Sequence, residues 1–394
     1  LLYPKGGFLQ KKVLIVAGEA SGDTHGAHLV SALRELDPSL YFFGVGGARM
    51  KAQGVRILED ASALGVVGFT EVFAGLGLFA RTAFLLKDLM ARVRPDLVIL
   101  IDFPDFNLRL AKYARAQGIK VLYYISPQVW AWRRGRVKKI RKWVDHMAVI
   151  LPFEKDFYAS HSVPVTFVGH PTLDCEGDCE GDGGQSRAPV ENQPQGLLVG
   201  LIPGSRKGEV ARHLPAMLEA ASLVLDSFPD AGLAIPLAPT VDRALAENIV
   251  ALAAQKDCRL CRVQMWPGGI DKVLESSTAA IAVSGTVTLE AALAGTPIVI
   301  IYKMSGLSYQ VGRLLIRVPF VGLPNLIAGR EIVPELLQDA ANPQNIAGHL
   351  LPFLNDPAKR QAVSSDLKTV RSLLGGPGAS RRTALVAKKL LEDS

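Results

Sequence analysis

The sequence predicts an α/β protein made of two Rossmann-like parallel sheets, and three observations carry that expectation. Short runs apolar on both faces alternate with helical patterns from the start of the chain. The alternation vanishes between His170 and Gly196, where Gly, Asp, Gln and Pro take over, and it restarts beyond them in the same strand, turn, helix order. Strands apolar on both faces are those covered by helices on both sides, which implies a mostly parallel sheet. A chain of 394 residues, 49% hydrophobic and 21% charged, can bury a core in each half.

In chain order, "KVLIVAG" reads as the first strand, "GDTHGAHLVSALREL" as a helix and "YFFGVGG" as a second strand. "DLVILID", "KVLYYIS", "HMAVIL" and "VTFVGH" follow as further strands of a first domain over 11–172. Residues 173–195 read as a flexible loop or linker. The pattern then resumes with "GLLVGLIPGSRKGEVARHLPAMLEAASLVL", "AGLAIPLAP" and "STAAIAVSGTVTLEAALAGTPIVIIYK", giving a second domain over 196–345. Residues 346–394 are helical in pattern, punctuated by Gly-Gly-Pro. Two such halves are expected to face a cleft at the carboxyl ends of their strands, so function is sought on the loops after strands.

The longest apolar runs break within about ten residues, short of the roughly 20 that span a bilayer, so no transmembrane helix is expected. The opening "LLYPKGGFLQKK" has no apolar core or cleavage site of a secretory signal, which predicts a cytosolic location. The formal charge of +7 favours an anionic partner: nucleotide, nucleic acid or lipid headgroup. Cys175 with Cys179 and Cys258 with Cys261 could supply four thiolates to zinc, but the first pair sits in "DCEGDCEGDGGQSR", an acidic loop. Reduced thiols and no metal are the expectation.

"AGEASGD" follows the first strand like a phosphate cradle yet carries two acids, Glu19 and Asp23. In "IDFPDFN", Asp102 stands at a strand end where a general base would stand, while Pro104 and Asp105 suit the opening of a helix. "LIPGSRKGEV" offers Gly204 for close backbone approach, Ser205 as a donor and Arg206 for bidentate contact with phosphate. "VSGTVTLEAALAGTP" places Ser284, Gly285, Thr286 and Thr288 at a strand-to-helix turn, with Glu290 in the first helical turn to accept from a ribose. "GVGGARM" does not complete G-x-G-x-x-G, so no dinucleotide cofactor is expected.

Two stretches could meet a membrane. "FAGLGLFARTAFLLKDLMARVRP" gathers Phe73, Leu76, Leu78, Phe79 and Phe84, and "VWAWRRGRVKKIRKW" sets Trp130 and Trp132 beside Arg133 and Arg134. The first could equally be a helix packed in the core, and the second could bind nucleic acid by stacking.

Taken in order, "VAGEASGD", "IDFPDFN", "SPQVWAWRRGRVKKI", "LPFEKDFY", "GHP", "LIPGSRKGEV", "SGTVTLEAALAGTPIVIIYK" and "VGLPNLIAGR" resemble the lipid-A-disaccharide synthases from Lys12 onward. The resemblance implies the GT-B architecture, with two Rossmann-like domains and C-terminal helices returning toward the first or exchanged in a homodimer. It implies an inverting transfer, without cofactor or metal, of 2,3-diacylglucosamine from its UDP donor to 2,3-diacylglucosamine 1-phosphate. The setting implied is the cytoplasmic face of a Gram-negative inner membrane, with no nucleic-acid partner. Asp102 would then be the base and Glu19 its rival. Gly18 and Ser21 would belong to the acceptor side, and Asn325 of "GLPN" would be a ligand-site amide. Two readings compete: another GT-B enzyme on UDP-sugars, such as an epimerase or a cell-wall glycosyltransferase, and a non-enzymatic binding module.

Overall fold

The computed structural model describes residues 10–61, 72–132, 135–174, 196–236, 243–266, 269–304 and 318–393, with the side chains of 72–76 outside that description. The chain divides into two compact units, Leu1–Asp182 with Leu374–Ser394, and Gly183–Leu373.

The first unit holds β1 (Lys12–Ala17), β2 (Tyr41–Gly46), β3 (Arg56–Asp60), β4 (Leu97–Ile101), β5 (Lys120–Tyr124), β6 (His146–Val149) and β7 (Val165–Phe167). They form one sheet in the order β3-β2-β1-β4-β5-β6-β7, every neighbour parallel. The apolar runs become strands because helices cover both faces. Leu14, Val16, Val98 and Leu100 point into one core, Val13, Ile15, Leu97 and Ile99 into the other.

The helix Pro104–Ala116 shows why local sequence and packing agree. Pro104 opens it and Asp105 lies in its first turn, favourable to the dipole. Phe106, Leu110, Ala111 and Ala114 recur at helical spacing on the buried side, and Gly118, at φ 75°, supplies the left-handed turn out.

The second unit holds β8 (Leu198–Ile202), β9 (Gly232–Pro236), β10 (Gln264–Trp266), β11 (Ala279–Val283), β12 (Ile298–Tyr302) and β13 (Glu335–Leu337). Its order is β10-β9-β8-β11-β12-β13, again wholly parallel. Counted within each unit, the first six strands follow the same 3-2-1-4-5-6 order that characterises dinucleotide-type Rossmann sheets.

The C-terminal helices do not act together. Pro343–Asn355 packs on Lys207–Ser227, and Pro357–Leu373 packs on Val287–Ala294, both inside the second unit. Arg371 fixes the latter through a 2.9 Å hydrogen bond to the Leu293 carbonyl. Only Ala379–Glu392 returns to the first unit, so the expectation for 346–394 as a block is narrowed to this last helix. Its buried residues Thr383, Ala384, Ala387 and Leu391 make a stripe that covers the β-sheet beside helix Ala20–Leu36. Asp174 caps it, accepting from the N–H groups of Gly378, Ala379 and Ser380 at 2.7, 2.9 and 2.8 Å. The rest of the expected linker, 175–195, lies outside the described residues.

Candidate active site

In the first unit strand order reverses between β1 and β4, and the register sets Ala17 opposite Ile101 at their carboxyl ends. The next residues, Gly18-Glu19 and Asp102-Phe103, are therefore neighbouring turns at the switch point where open parallel sheets take their ligands. Topology brings together two acids that lie far apart in sequence.

Asp102 and Phe103 both have left-handed backbones, with φ 47° and 50°. Non-glycine residues there cost roughly 1–3 kcal/mol each and persist only when the surroundings hold them. The holding groups are visible: Tyr123 Oη donates to the Asp102 carbonyl at 2.6 Å, and Asn107 Nδ2 donates to the same oxygen at 2.7 Å and to Ile101 at 3.1 Å. Asp102 N–H is in turn bonded to the Tyr124 carbonyl at 3.1 Å. Gly18 has its own reason, since a Cβ there would stand 2.4 Å from the Phe103 ring. Its work is to admit that ring, which stacks on Phe79 and touches Phe106.

The Asp102 carboxyl is pushed up to about 6, chiefly by burial and secondarily by the Glu19 charge, against a lowering hydrogen bond from Phe103 N–H. A carboxylate so placed is mostly ionised near neutral pH, yet more basic than an ordinary one and suited to accept a proton. Glu19 is exposed and precedes the helix Ala20–Leu36, as is Ser21 in its first turn. Asp23 is engaged elsewhere, accepting from the N–H groups of Gly47, Arg49 and Met50 at 2.6, 3.0 and 3.1 Å. The acid that made the opening loop look unlike a cradle is partly a cap for the turn after β2.

In the second unit the equivalent reversal lies between β8 and β11, with Ile202 opposite Ala282. The turns holding Gly204-Ser205-Arg206 and Ser284-Gly285-Thr286 are consequently adjacent at that sheet's carboxyl edge. Gly204 has φ 110°, and a Cβ would meet Glu209 Oε2 at 2.5 Å. Glu209 Oε2 accepts from Ser205 N–H at 3.1 Å and Arg206 N–H at 3.3 Å, so a carboxylate occupies the backbone donors expected to meet phosphate. What this turn offers an anion is the Arg206 guanidinium, 82% exposed in its side chain and 3.5 Å from Glu209.

His213, one turn further along, fixes this turn to β12. Its Nδ1 lies 2.8 Å from the Glu209 carbonyl, and its Nε2 accepts from Lys303 N–H at 3.0 Å. That second contact demands the neutral ring, in keeping with the downward shift that burial imposes.

The second turn divides between exposed and committed groups. Gly285 and Thr286 are exposed. Ser284 Oγ donates to the Val321 carbonyl at 3.0 Å. Thr288 is wholly buried, its hydroxyl bonded back to the Gly285 carbonyl at 2.8 Å, which removes it from the ligand-facing set. Glu290 is half-buried with its carboxyl raised, first by burial and then by Asp271.

Asn325 is corrected more fully: it is wholly buried and spends its amide internally. Nδ2 donates to the Val333 carbonyl and Glu335 Oε1, both at 2.8 Å, and Oδ1 accepts from Ile332 N–H at 2.7 Å and Val333 N–H at 3.1 Å. Its donors and acceptor are filled, so it clamps the 320–335 segment and does not present an amide to a ligand.

Among the membrane candidates, Trp130 is 5% exposed, donates to Glu154 Oε1 at 3.0 Å and meets Phe153 edge to face. It is a core residue. Leu78 and Phe79 are half-buried and pack on the core of the first unit. Phe84 and Trp132 are exposed, at 75% and 40%. The side chains of Phe73 and Leu76, together with Arg133 and Arg134, lie outside the described residues, as do Cys175 and Cys179. Cys258 and Cys261 are exposed free thiols. Among the described residues no helix is long and apolar enough to cross a membrane.

Sequence reasoning missed Asn107, Tyr123, Glu209 and Glu335, the groups that hold the loops. A signal existed for one: Asn107 interrupts the apolar face of its helix five residues after Asp102, and a buried polar residue must find partners.

The chain matches the family model described as lipid-A-disaccharide synthetase over residues 13–390. It is 46% identical over 384 residues to the lipid-A-disaccharide synthase of Syntrophus aciditrophicus, covering 98% of this chain and 99% of that protein. It is 43% identical over 385 residues to that of Myxococcus xanthus, covering 96% and 97%. Among solved structures it resembles a Neisseria meningitidis UDP-GlcNAc 2-epimerase bound to UDP-GlcNAc, with a TM-score of 0.66 and 14% identity over 97% of this chain and 100% of that one. Acinetobacter baumannii MurG gives 0.57 and 15%, over 96% and 99%. At such identities the structural likeness speaks for the fold alone.

Proposed function

The chain belongs to the lipid-A-disaccharide synthase family, and on that premise we propose the reaction and the roles of its residues. A glycosyltransferase of lipid A assembly, it transfers 2,3-diacylglucosamine from its UDP donor to the 6-hydroxyl of 2,3-diacylglucosamine 1-phosphate. The product is the β-1,6 disaccharide 1-phosphate, with inversion at the anomeric carbon and release of UDP.

The observation that carries the reading is the half-buried Asp102 carboxyl, raised by burial on a backbone locked into the left-handed region at a switch point. Asp102 takes the proton of the acceptor hydroxyl as that oxygen attacks the donor's anomeric carbon. The bond to UDP breaks on the opposite side, and its electron pair leaves with the diphosphate. Negative charge growing there is met by Arg206, with Gly285 and Thr286 N–H groups beside it. Glu290 accepts from the ribose. Glu19 orients the acceptor and keeps Asp102 basic through its charge.

Acceptor chemistry belongs to the first unit and nucleotide binding to the second. Both substrates carry acyl chains, and burying chains contributes about 0.8 kcal/mol per CH₂. Accordingly the enzyme works as a peripheral protein on the cytoplasmic face of the inner membrane, contacting lipid through Phe84 and Trp132, and a homodimer fits the same family pattern.

The test is UDP release from the acylated donor with the phosphorylated acceptor, using the wild type and Asp102→Asn. Turnover by the wild type and its near-complete loss in the variant support the reading. Product formation without UDP release, or turnover unaffected by the substitution, would refute it.

A further inference from the structure

Three helices of the first unit, Val72–Val93, Pro104–Ala116 and Arg136–Trp143, enclose a groove of about 440 Å³. Lys87, Arg109, Lys112, Arg136 and Lys139 line it, against a single acid, Asp105, which pairs with Arg136. Trp143 forms an aromatic wall, with the Lys112 ammonium 6.0 Å from its ring centroid. Among the described residues no carboxylate pairs with Arg109, Lys112 or Lys139. Cations gathered round one concavity repel one another unless an anion joins them.

The groove begins at Pro104 and Asp105, the second and third residues after Asp102. Arg136 also stands close enough to Tyr123 for its charge to act on the phenol whose hydroxyl holds the Asp102 carbonyl. The size falls within the roughly 300–1,000 Å³ of small-molecule pockets, more than a lone phosphate needs. Guanidinium forks bind phosphate oxygens bidentately, and ammonium groups add point charge.

We infer that this groove seats a phosphate monoester, namely the anomeric phosphate of the acceptor sugar whose 6-hydroxyl faces Asp102. This rests on the reaction proposed above. The acceptor's anomeric phosphate on C1 and its 6-hydroxyl, carried by C5, flank the ring oxygen of one pyranose, and the groove adjoins the Asp102 turn, so one sugar can reach both. The same phosphate chemistry is found on anionic phospholipid headgroups, which the experiment separates.

The test is the double variant Arg109→Gln with Lys139→Gln, two exposed residues whose replacement spares the core, its fold checked by a thermal melt. Initial rates are measured in detergent with the phosphorylated acceptor and with the same sugar lacking the phosphate. The expected result is that the preference for the phosphorylated acceptor collapses about tenfold, through KM, as for loss of charge-assisted contacts. An equal loss on both acceptors, or none on either, overturns the assignment. Sedimentation with phosphatidylglycerol vesicles gives the second arm: lost vesicle binding with an unchanged preference means a headgroup site and overturns it too.

Calorimetric titration with glucosamine 1-phosphate separates this inference from the reaction on which it rests. Binding by the wild type that disappears in the double variant supports the groove even if the wild type releases no UDP. No binding by the wild type overturns it.

Discussion

At the scale of single residues the proposed base, Asp102, is an acid whose environment, more than its identity, suits it to that role. Asp102→Asn keeps the shape and removes the proton acceptor, so turnover is expected to fall about 10²- to 10⁴-fold with UDP affinity nearly unchanged. The sign of the pH dependence follows from the raised carboxyl. The base works when ionised, so activity should rise with pH and level off above about 6. Glu19→Gln removes a charge that opposes ionisation, and the acid limb of the rate profile should move to lower pH. A limb that stays in place would show that Glu19 does not act on Asp102. Arg206→Ala is expected to weaken UDP binding in calorimetry by about tenfold, the scale of one charged contact. Legibility at this scale was mixed. The positions of Asp102 and Arg206 could be read, because the apolar runs mark the strand ends beside which they stand, and strand ends are ligand positions. Asn325 was misread because a motif shows which residue is present and not whether its hydrogen bonds are already spent.

At the scale of elements the loops are held by buried polar groups more than by their glycines. Glu154 is 1% exposed and accepts from Trp130 Nε1 and from the N–H groups of Ile150 and Leu151 at 3.0, 3.2 and 3.0 Å. Its carboxyl is pushed up to about 7 by burial, against the lowering effect of those donors. Glu154→Ala leaves three donors without an acceptor, at roughly 1–3 kcal/mol each. A loss of about 3 kcal/mol or more in urea denaturation is expected, large against a total stability of about 5–15 kcal/mol. A loss below about 1 kcal/mol would show that the network bears no weight. The helix Val72–Val93 was legible as apolar but not by face. Phe79 turns inward onto Phe103, whereas Phe84 turns outward, so Phe84→Glu is the substitution expected to lower sedimentation with anionic vesicles.

At the scale of the whole molecule the chain runs through one unit, then a second, and returns one helix to the first. A protein ending at Leu373 lacks the stripe of Ala384, Ala387 and Leu391 that covers the first sheet. Calorimetry should then show a lost or broadened transition for the first unit and a retained one for residues 183–373; unchanged transitions would contradict the packing. Acid should loosen the same joint. Burial alone would raise the Asp174 carboxyl, but hydrogen bonds from Ser380, Ala379 and Gly378 outweigh it and lower the value. Its contribution is present above its unfolded value of 3.8 and fades as pH falls through the folded one. His25 and His170 are held down to about 4, mainly by burial, from 6.5. Unfolded, they bind protons more readily, so their contribution is lost between pH 6.5 and about 4. Amide protection factors in Ala379–Glu392 should fall over that range more than in Pro357–Leu373.

The amino-acid order by itself determined the two-sheet architecture, because strands buried on both faces write continuous apolar runs that turns and helices punctuate. It determined the family as well, through motifs that stand at strand ends in a fixed succession. Tertiary structure alone decided which polar side chains are spent and which are available. Asp23, Glu209, Thr288 and Asn325 satisfy backbone or neighbouring groups, whereas Asp102, Glu19 and Arg206 stand at the carboxyl edges of their sheets. The physical reason is that hydrogen-bond partners and burial arise from residues distant in sequence. Tyr123 sets the Asp102 turn across a neighbouring strand, and no pattern along either strand records that contact.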